Sequence, residues 1–148
     1  MKRKTVSGGK FLSRITEIIE ASRTAIHRAV NSEMVSAYWF IGREIIREEQ
    51  KGSERAEYGK KIIETLSRYL SDRYGDGWSP SHLWHVRQFY ILYRDRIPGK
   101  LHTLRADSVR KIPHTLRAEL SWSHYRVLMR ADDPKARSFY EAECAANN

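Results

Sequence analysis

The sequence predicts an all-α protein with a helical hairpin, a helix-turn-helix (winged-helix-like at most) and two C-terminal helices. Apolar residues recur every three or four positions through most of the chain, which is the period of an amphipathic helix. Ser79-Pro80 and Asp133-Pro134 match helix starts, because serine and aspartate cap helices and proline is tolerated at the first helical position. No Asn-Gly or Asp-Gly pair stands between alternating strands, so no β-hairpin is predicted.

The first 50 residues are predicted to form a basic arm and two helices. Residues 1–10 are basic, contain glycine and lack periodicity, so we expect a disordered arm. A helix should follow to about Val30, with Asn31-Ser32 as the break before a second helix over roughly 33–50. The two would form an antiparallel hairpin. Residues 12–46 are also a candidate homodimer seam, because their apolar spacing resembles short heptads.

Residues 58–95 predict the helix-turn-helix. Apolar positions from Tyr58 to Tyr69 mark its first helix, and the glycines of Tyr74-Gly75-Asp76-Gly77 end it. A second helix begins at Pro80 and buries a stripe that ends at Tyr93. Its opposite face is polar and basic, and carries Ser81, His82, His85 and Gln88, with Arg87 beside them. Such a helix suits a DNA reader.

The C-terminal third is predicted to contain a connector and two helices. Residues 97–119 are basic, include Pro113 and show no clear period, so we expect an irregular connector. Ser121 should cap the next helix, and Asp133-Pro134 should start the last one. Together, residues 11–148 are predicted to form one helical domain.

The composition favours a polyanionic partner in a reducing compartment. Twenty-seven Lys and Arg against 18 Asp and Glu give a net charge of +9, and the sequence pI is about 9.8. Cys144 is the only cysteine, so an internal disulfide is excluded and a cytoplasmic location is expected. No apolar run approaches the ~20 residues that span a bilayer, so no membrane partner is expected.

Several blocks of the sequence resemble the N-terminal domain of the YhcG family of bacterial proteins. They are Tyr58-Gly59-Lys60, Tyr74-Gly75-Asp76-Gly77-Trp78-Ser79, Arg87-Gln88-Phe89-Tyr90, Leu120-Ser121-Trp122-Ser123-His124-Tyr125, and Asp133-Pro134 with Phe139-Tyr140. The similarity covers about residues 14–148. It implies an all-helical, DNA-binding domain that is followed in the family by a PD-(D/E)XK-type nuclease domain, which these residues do not include.

The candidate nucleic-acid contacts lie mainly on the helix that starts at Pro80. Ser81 and His82 are placed to meet phosphate at its N-terminus. Arg87 can donate twice to guanine and Gln88 can pair with adenine. The alternative is that Trp84, Arg87 and Gln88 pack against neighbouring helices and that the outer face is merely solvated. The remaining candidates are basic or imidazole side chains: Lys60, His85, Arg94, Arg105, Arg110 and Lys111.

No catalytic residue, metal ligand, cofactor or small-molecule substrate is predicted. Glu49-Gln50-Lys51 and Asp133-Pro134-Lys135 imitate half of a nuclease motif, but neither lies on a predicted strand and helix capping explains the second. His82 and His85 form a pair, whereas a zinc site needs at least three protein ligands.

Two function classes remain, and they are compatible. The clustered positive charge favours a DNA-binding module that targets a nuclease and is not catalytic by itself. The wide apolar face of residues 33–46 favours a protein-interaction domain that dimerises or docks a partner subunit. Duplex DNA is the expected partner in the first class, and a homodimer in the second.

Overall fold

The computed structural model describes residues 8–52, 56–94, 116 and 120–147, and within them every regular element is a helix. The all-α prediction is confirmed. The helices are α1 (Gly8–Lys51), α2 (Ala56–Tyr74), α3 (Pro80–Tyr93), α4 (Trp122–Leu128) and α5 (Pro134–Ala146). The predicted connector, apart from Leu116, and residues 1–7 of the predicted arm lie outside the described residues.

Helix α1 is continuous for 44 residues, about 66 Å. The predicted break at Asn31-Ser32, and with it the helical hairpin, is therefore wrong. Asparagine and serine cost an interior helical turn well under 1 kcal/mol, far less than proline. Ser32 is buried within the helix and does not cap a new one. Residues 8–10, expected in the arm, also belong to α1.

The two helices around the glycine turn form as predicted. Gly75 and Gly77 take positive φ angles of 83° and 107°, which glycine adopts without a Cβ clash. The Ser67 hydroxyl donates to the Trp78 carbonyl at 2.6 Å and fixes the returning chain on α2. The Ser79 hydroxyl then accepts from the His82 amide at 3.2 Å, so Ser79 caps α3 as expected.

Helix α3 packs against the C-terminal half of α1 with the backbones in close approach. Gly42 permits this, because a Cβ there would lie 2.5 Å from the Val86 carbonyl oxygen and 2.7 Å from Tyr90 Cβ. The main core surrounds the crossing and joins α1, α3 and α4. Its buried members are Val35, Trp39, Phe89, Tyr93, Leu116, Leu120, Tyr125, Leu128 and Met129.

The C-terminal helices begin at the predicted caps. The Ser121 hydroxyl accepts from the His124 amide, and the His124 ring accepts from the Ser121 amide in return. Asp133 accepts from the Lys135 amide at 3.1 Å and starts α5. Helix α4 sets Tyr125 against Phe89, with ring centroids 5.0 Å apart, and so lies directly beside α3.

The N-terminal half of α1 has no neighbour among the described residues. Residues 9–31 are all exposed. Seven large apolar side chains in this stretch are between 42% and 62% exposed: Phe11, Leu12, Ile15, Ile18, Ile19, Ile26 and Val30. No part of the chain that the structure describes packs over this apolar stripe.

Candidate nucleic-acid interface

The outer face of α3 has a polar row with a tryptophan beside it. Ser81 and Gln88 are exposed and His85 is half-buried, each about one turn from the next along the helix. Trp84, which the alternative places against neighbouring helices, is 40% exposed on the same face. The face can therefore offer hydroxyl, imidazole and amide groups together with an aromatic surface.

His82 is turned away from this row and into an aromatic cluster. Its ring centroid lies 4.9 Å from Tyr38, 5.8 Å from Trp78 and 5.9 Å from Trp122. Burial lowers the pKa of His82, and the charges of Arg126 and His85 lower it further. The neutral imidazole thus serves as a packing group between α1, α3 and α4.

Arg87 is held by an ion pair with α1. Its Nε and Nη2 donate to Oε1 and Oε2 of Glu49 at 2.7 Å and 2.9 Å, and the two side chains are 28% and 17% exposed. The guanidinium also lies 5.4 Å from the centre of the Trp84 ring. This matches the packing alternative for Arg87, because the Nε–Nη2 edge of its guanidinium is engaged by Glu49 within the protein.

Helix α4 and the turn that follows it add two arginines beside the polar row. A cavity of about 220 Å³ is lined by His85 and Gln88 from α3 and by Arg126, Met129 and Arg130 from α4 and its end. Arg126 and Arg130 are exposed, so their charges are accessible to a ligand. We call these five residues the α3–α4 groove.

Arg126 and Arg130 were not among the contacts predicted from the sequence. They stand four residues apart in the sequence with no acidic residue between them, Arg126 on α4 and Arg130 in the turn after it. That signal is common on solvated helices. Only the packing of Tyr125 against Phe89 brings this face alongside His85 and Gln88.

The other predicted contacts are scattered. Lys60 is exposed near the start of α2, and Arg94 is exposed at the C-cap of α3. Neither lines the α3–α4 groove. The remaining three predicted contacts, Arg105, Arg110 and Lys111, lie outside the described residues.

The described residues hold no group of three or more His, Cys, Asp or Glu side chains that could bind a metal ion. In the nuclease-like strings, Glu49 pairs with Arg87, Lys51 pairs with Glu48 at 3.3 Å, and Asp133 caps α5. Across the same part of the chain, no helix combines the length and apolar character needed to cross a membrane.

The larger cavities do not suit a polyanion. One of about 550 Å³ lies between α1 and α2 and is lined mostly by apolar side chains, including Phe40, Ile62 and Leu70. Glu44 and Glu48 stand on its border. Apolar walls offer phosphate no polar contact, and the acidic neighbours would repel it. The α3–α4 groove is therefore the better candidate for DNA.

The fold and site define an all-helical domain with a cationic groove. Residues 14–148 match the family described as the DUF1016 N-terminal domain. The chain belongs to this family, and the resemblance to YhcG proteins is confirmed.

One relative illustrates the family. The chain is 35% identical over 144 residues to the Escherichia coli (strain K12) protein named "Putative nuclease YhcG". The match covers 87% of this chain but only 38% of that relative, so the chain corresponds to a minor part of its length. No solved structure matches the chain.

Proposed function

We propose that this domain binds duplex DNA through the α3–α4 groove and acts as the targeting module of a YhcG-like nuclease. The observation that carries the proposal is the convergence of Arg126 and Arg130 with His85 and Gln88 on one exposed surface. The proposal assigns targeting, and not catalysis, to these residues.

The chemistry of the groove supports DNA as the ligand. Exposed arginines attract phosphate and release its counterions, which supplies most of the affinity of a DNA-binding surface. Gln88 offers an amide that can pair with the edge of adenine in the major groove. The net charge of +9 and the nuclease name of the Escherichia coli relative point to the same class of ligand.

The proposal divides the roles of the predicted contact residues. Arg126 and Arg130 would contact phosphates, and Ser81 would add a hydroxyl contact at the start of α3. His85 and Gln88 would face the bases. Lys60 and Arg94, with the basic residues Arg105, Arg110 and Lys111, would add phosphate contacts outside the groove.

Fluorescence anisotropy of a labelled duplex, measured from about 50 to 200 mM salt, tests the proposal. The double variant Arg126→Gln/Arg130→Gln should bind more weakly at every salt concentration. Its plot of log affinity against log salt should be shallower by about 2, one for each lost phosphate contact. Gln88→Ala should change the preference among sequences and leave the salt slope unchanged.

The matched control is Arg68→Gln/Arg73→Gln, which also removes two positive charges, but from exposed positions on α2. It should retain the wild-type slope. Equal effects of the two double variants would show that only net charge matters and would overturn the groove assignment. Absence of binding by the wild-type protein at about 50 mM salt would overturn DNA binding itself.

A second candidate function is protein interaction, and one observation favours it. Among the described residues nothing packs over the apolar stripe of residues 11–30, whereas the apolar face of residues 33–46 packs largely within this chain. Val35, Trp39 and Ile45, for example, are at most 3% exposed. The surface available to a partner is therefore the N-terminal half of α1.

A further inference from the structure

The exposed half of α1 carries a heptad pattern. Leu12, Ile19 and Ile26 occupy one core position, and Ile15, Ser22 and Ala29 occupy the other. Phe11, Ile18 and Val30 widen the stripe. Five of its six charged residues, Lys10, Arg14, Glu17, Glu20 and Arg28, fall away from this stripe, and Arg23 lies at its edge. An apolar heptad stripe of this kind packs against another helix, and it offers no positive charge to a polyanion.

We propose that residues 11–30 pair with the same residues of a second copy as an antiparallel coiled coil. This deepens the second candidate function by naming the partner, and it does not depend on DNA binding. The seven exposed apolar side chains offer on the order of 700 Å² to a partner, near the ~800 Å² per partner of a standard interface.

The register is defined by side-chain size. In an antiparallel coiled coil, the core position of Leu12, Ile19 and Ile26 in one helix faces the core position of Ile15, Ser22 and Ala29 in the other. Leu12 then faces Ala29 of the second copy, Ile15 faces Ile26, and Ile19 faces Ser22. Two of these three layers set a large side chain against a small one, which fills space without voids. A parallel pair would instead set Ser22 on Ser22 and Ala29 on Ala29.

The extent of the exposed surface gives the same register independently. These layers are centred between Glu20 and Ala21, so residue 8 of one copy lies opposite residue 33 of the other. The exposed stretch 9–31 is centred at residue 20, and burial within the chain begins at Ser32. The pairing therefore covers the uncovered stretch of each copy and ends where the folded body starts.

The polar side chains in the proposed interface of residues 11–30 are compatible with burial. The Ser22 hydroxyl already donates to the Ile18 carbonyl at 2.9 Å, so burying it leaves no unpaired donor. Arg23 would approach its own copy at the edge of the seam. Its guanidinium lies 3.9 Å from the Glu20 carboxylate in the same helix, and both are well exposed, so the repulsion is offset and screened.

An antiparallel pair would also fix the distance between the folded parts of the two copies. The crossings of α3 at Gly42 would lie on opposite sides of the dimer centre, roughly 65 Å apart at 1.5 Å per residue. The two α3–α4 grooves would therefore be held at opposite ends of a rod.

The first test is the mass of the chain in solution, measured by light scattering after gel filtration over a range of concentrations. The wild-type protein should be a dimer. Ile19→Glu should weaken dimerisation at least about 100-fold, because each dimer would bury two unpaired carboxylates. Thr24→Glu introduces the same charge on the opposite, exposed face and should remain dimeric. A wild-type monomer at about 100 μM would overturn the proposal.

Cysteine cross-linking tests the orientation. In a Cys144→Ser background, Leu12→Cys and Ala29→Cys proteins should form disulfide-linked dimers when mixed and then oxidised, but not when each is oxidised alone. Linked dimers from either protein alone would mean a parallel pair and would overturn the proposed register. Failure of dimerisation with intact DNA binding would leave the first proposed function standing.

Discussion

Arg87 and Glu49 form a two-bonded ion pair that joins α3 to the C-terminal end of α1. Arg87 Nε and Nη2 lie 2.7 Å and 2.9 Å from the two carboxylate oxygens of Glu49. The residues are 38 positions apart in the sequence. A side chain with the chemistry to read guanine is therefore also a structural tie between two helices.

Arg87→Ala should destabilise the fold by about 1–3 kcal/mol, because Glu49 would remain partly buried without its donor. Urea denaturation measures the loss. Arg68→Ala, at an exposed position of α2, should change stability by no more than about 0.5 kcal/mol. Equal effects of the two substitutions would show that the ion pair contributes nothing. DNA binding by Arg87→Ala must be measured well below the unfolding midpoint, where any loss reports contact with DNA.

Gly42→Ala should destabilise the protein by roughly 1–3 kcal/mol despite the better helix propensity of alanine. The new methyl group would overlap the Val86 carbonyl and Tyr90 Cβ, so α1 and α3 would have to separate. Thermal unfolding followed by circular dichroism measures the change. Gly9→Ala is the matched control, because nothing lies within 4 Å of its added Cβ. A Gly42→Ala protein as stable as wild type would contradict the close crossing.

His82 should make stability fall in mild acid. Its pKa is lowered in the folded protein, so the unfolded chain binds more protons as the pH drops below about 6.5. The stability that neutral His82 contributes is complete above that pH, and it is lost as the pH falls toward the pKa of His82 in the folded protein. Urea unfolding from pH 8 to 5 should show a smaller loss for His82→Phe, which keeps a ring beside Tyr38 and Trp122. Identical pH profiles would argue against a neutral, half-buried imidazole at His82.

Ser79→Ala should cost about 1 kcal/mol by leaving the His82 amide without its capping oxygen. Ser81→Ala, two residues along the same helix, removes an exposed hydroxyl and should be nearly neutral for stability. Chemical denaturation of both variants separates capping from the general loss of a serine. In the DNA assay the order should reverse, because only Ser81 is assigned to the interface.

Several helix boundaries could be predicted from the sequence because they depend on local chemistry. Ser79-Pro80, Ser121 and Asp133-Pro134 start helices where they were predicted to, since a cap depends on a few neighbouring backbone amides. Gly75 and Gly77 end the preceding helix for the equally local reason of positive φ. The wrong prediction at Asn31-Ser32 arose because these residues favour caps without forbidding a helix interior.

The candidate site could be predicted from the sequence only in part, because it is assembled from residues that are distant along the chain. Ser81, His85 and Gln88 could be placed on one helix by spacing alone. That Arg87 pairs with Glu49, that His82 packs among aromatic rings and that Arg126 joins the groove depend on how α1 and α4 lie against α3. No local pattern encodes those contacts.

The sequence by itself determined the helical class, the capped boundaries of α3, α4 and α5, and the family, because these follow from residue order and short-range hydrogen bonds. Only the tertiary structure decided which apolar positions are covered and which charges are already paired. The reason is physical: burial and ion pairing depend on distances between helices, and the crossing at Gly42 sets those distances for the core while leaving the first half of α1 open.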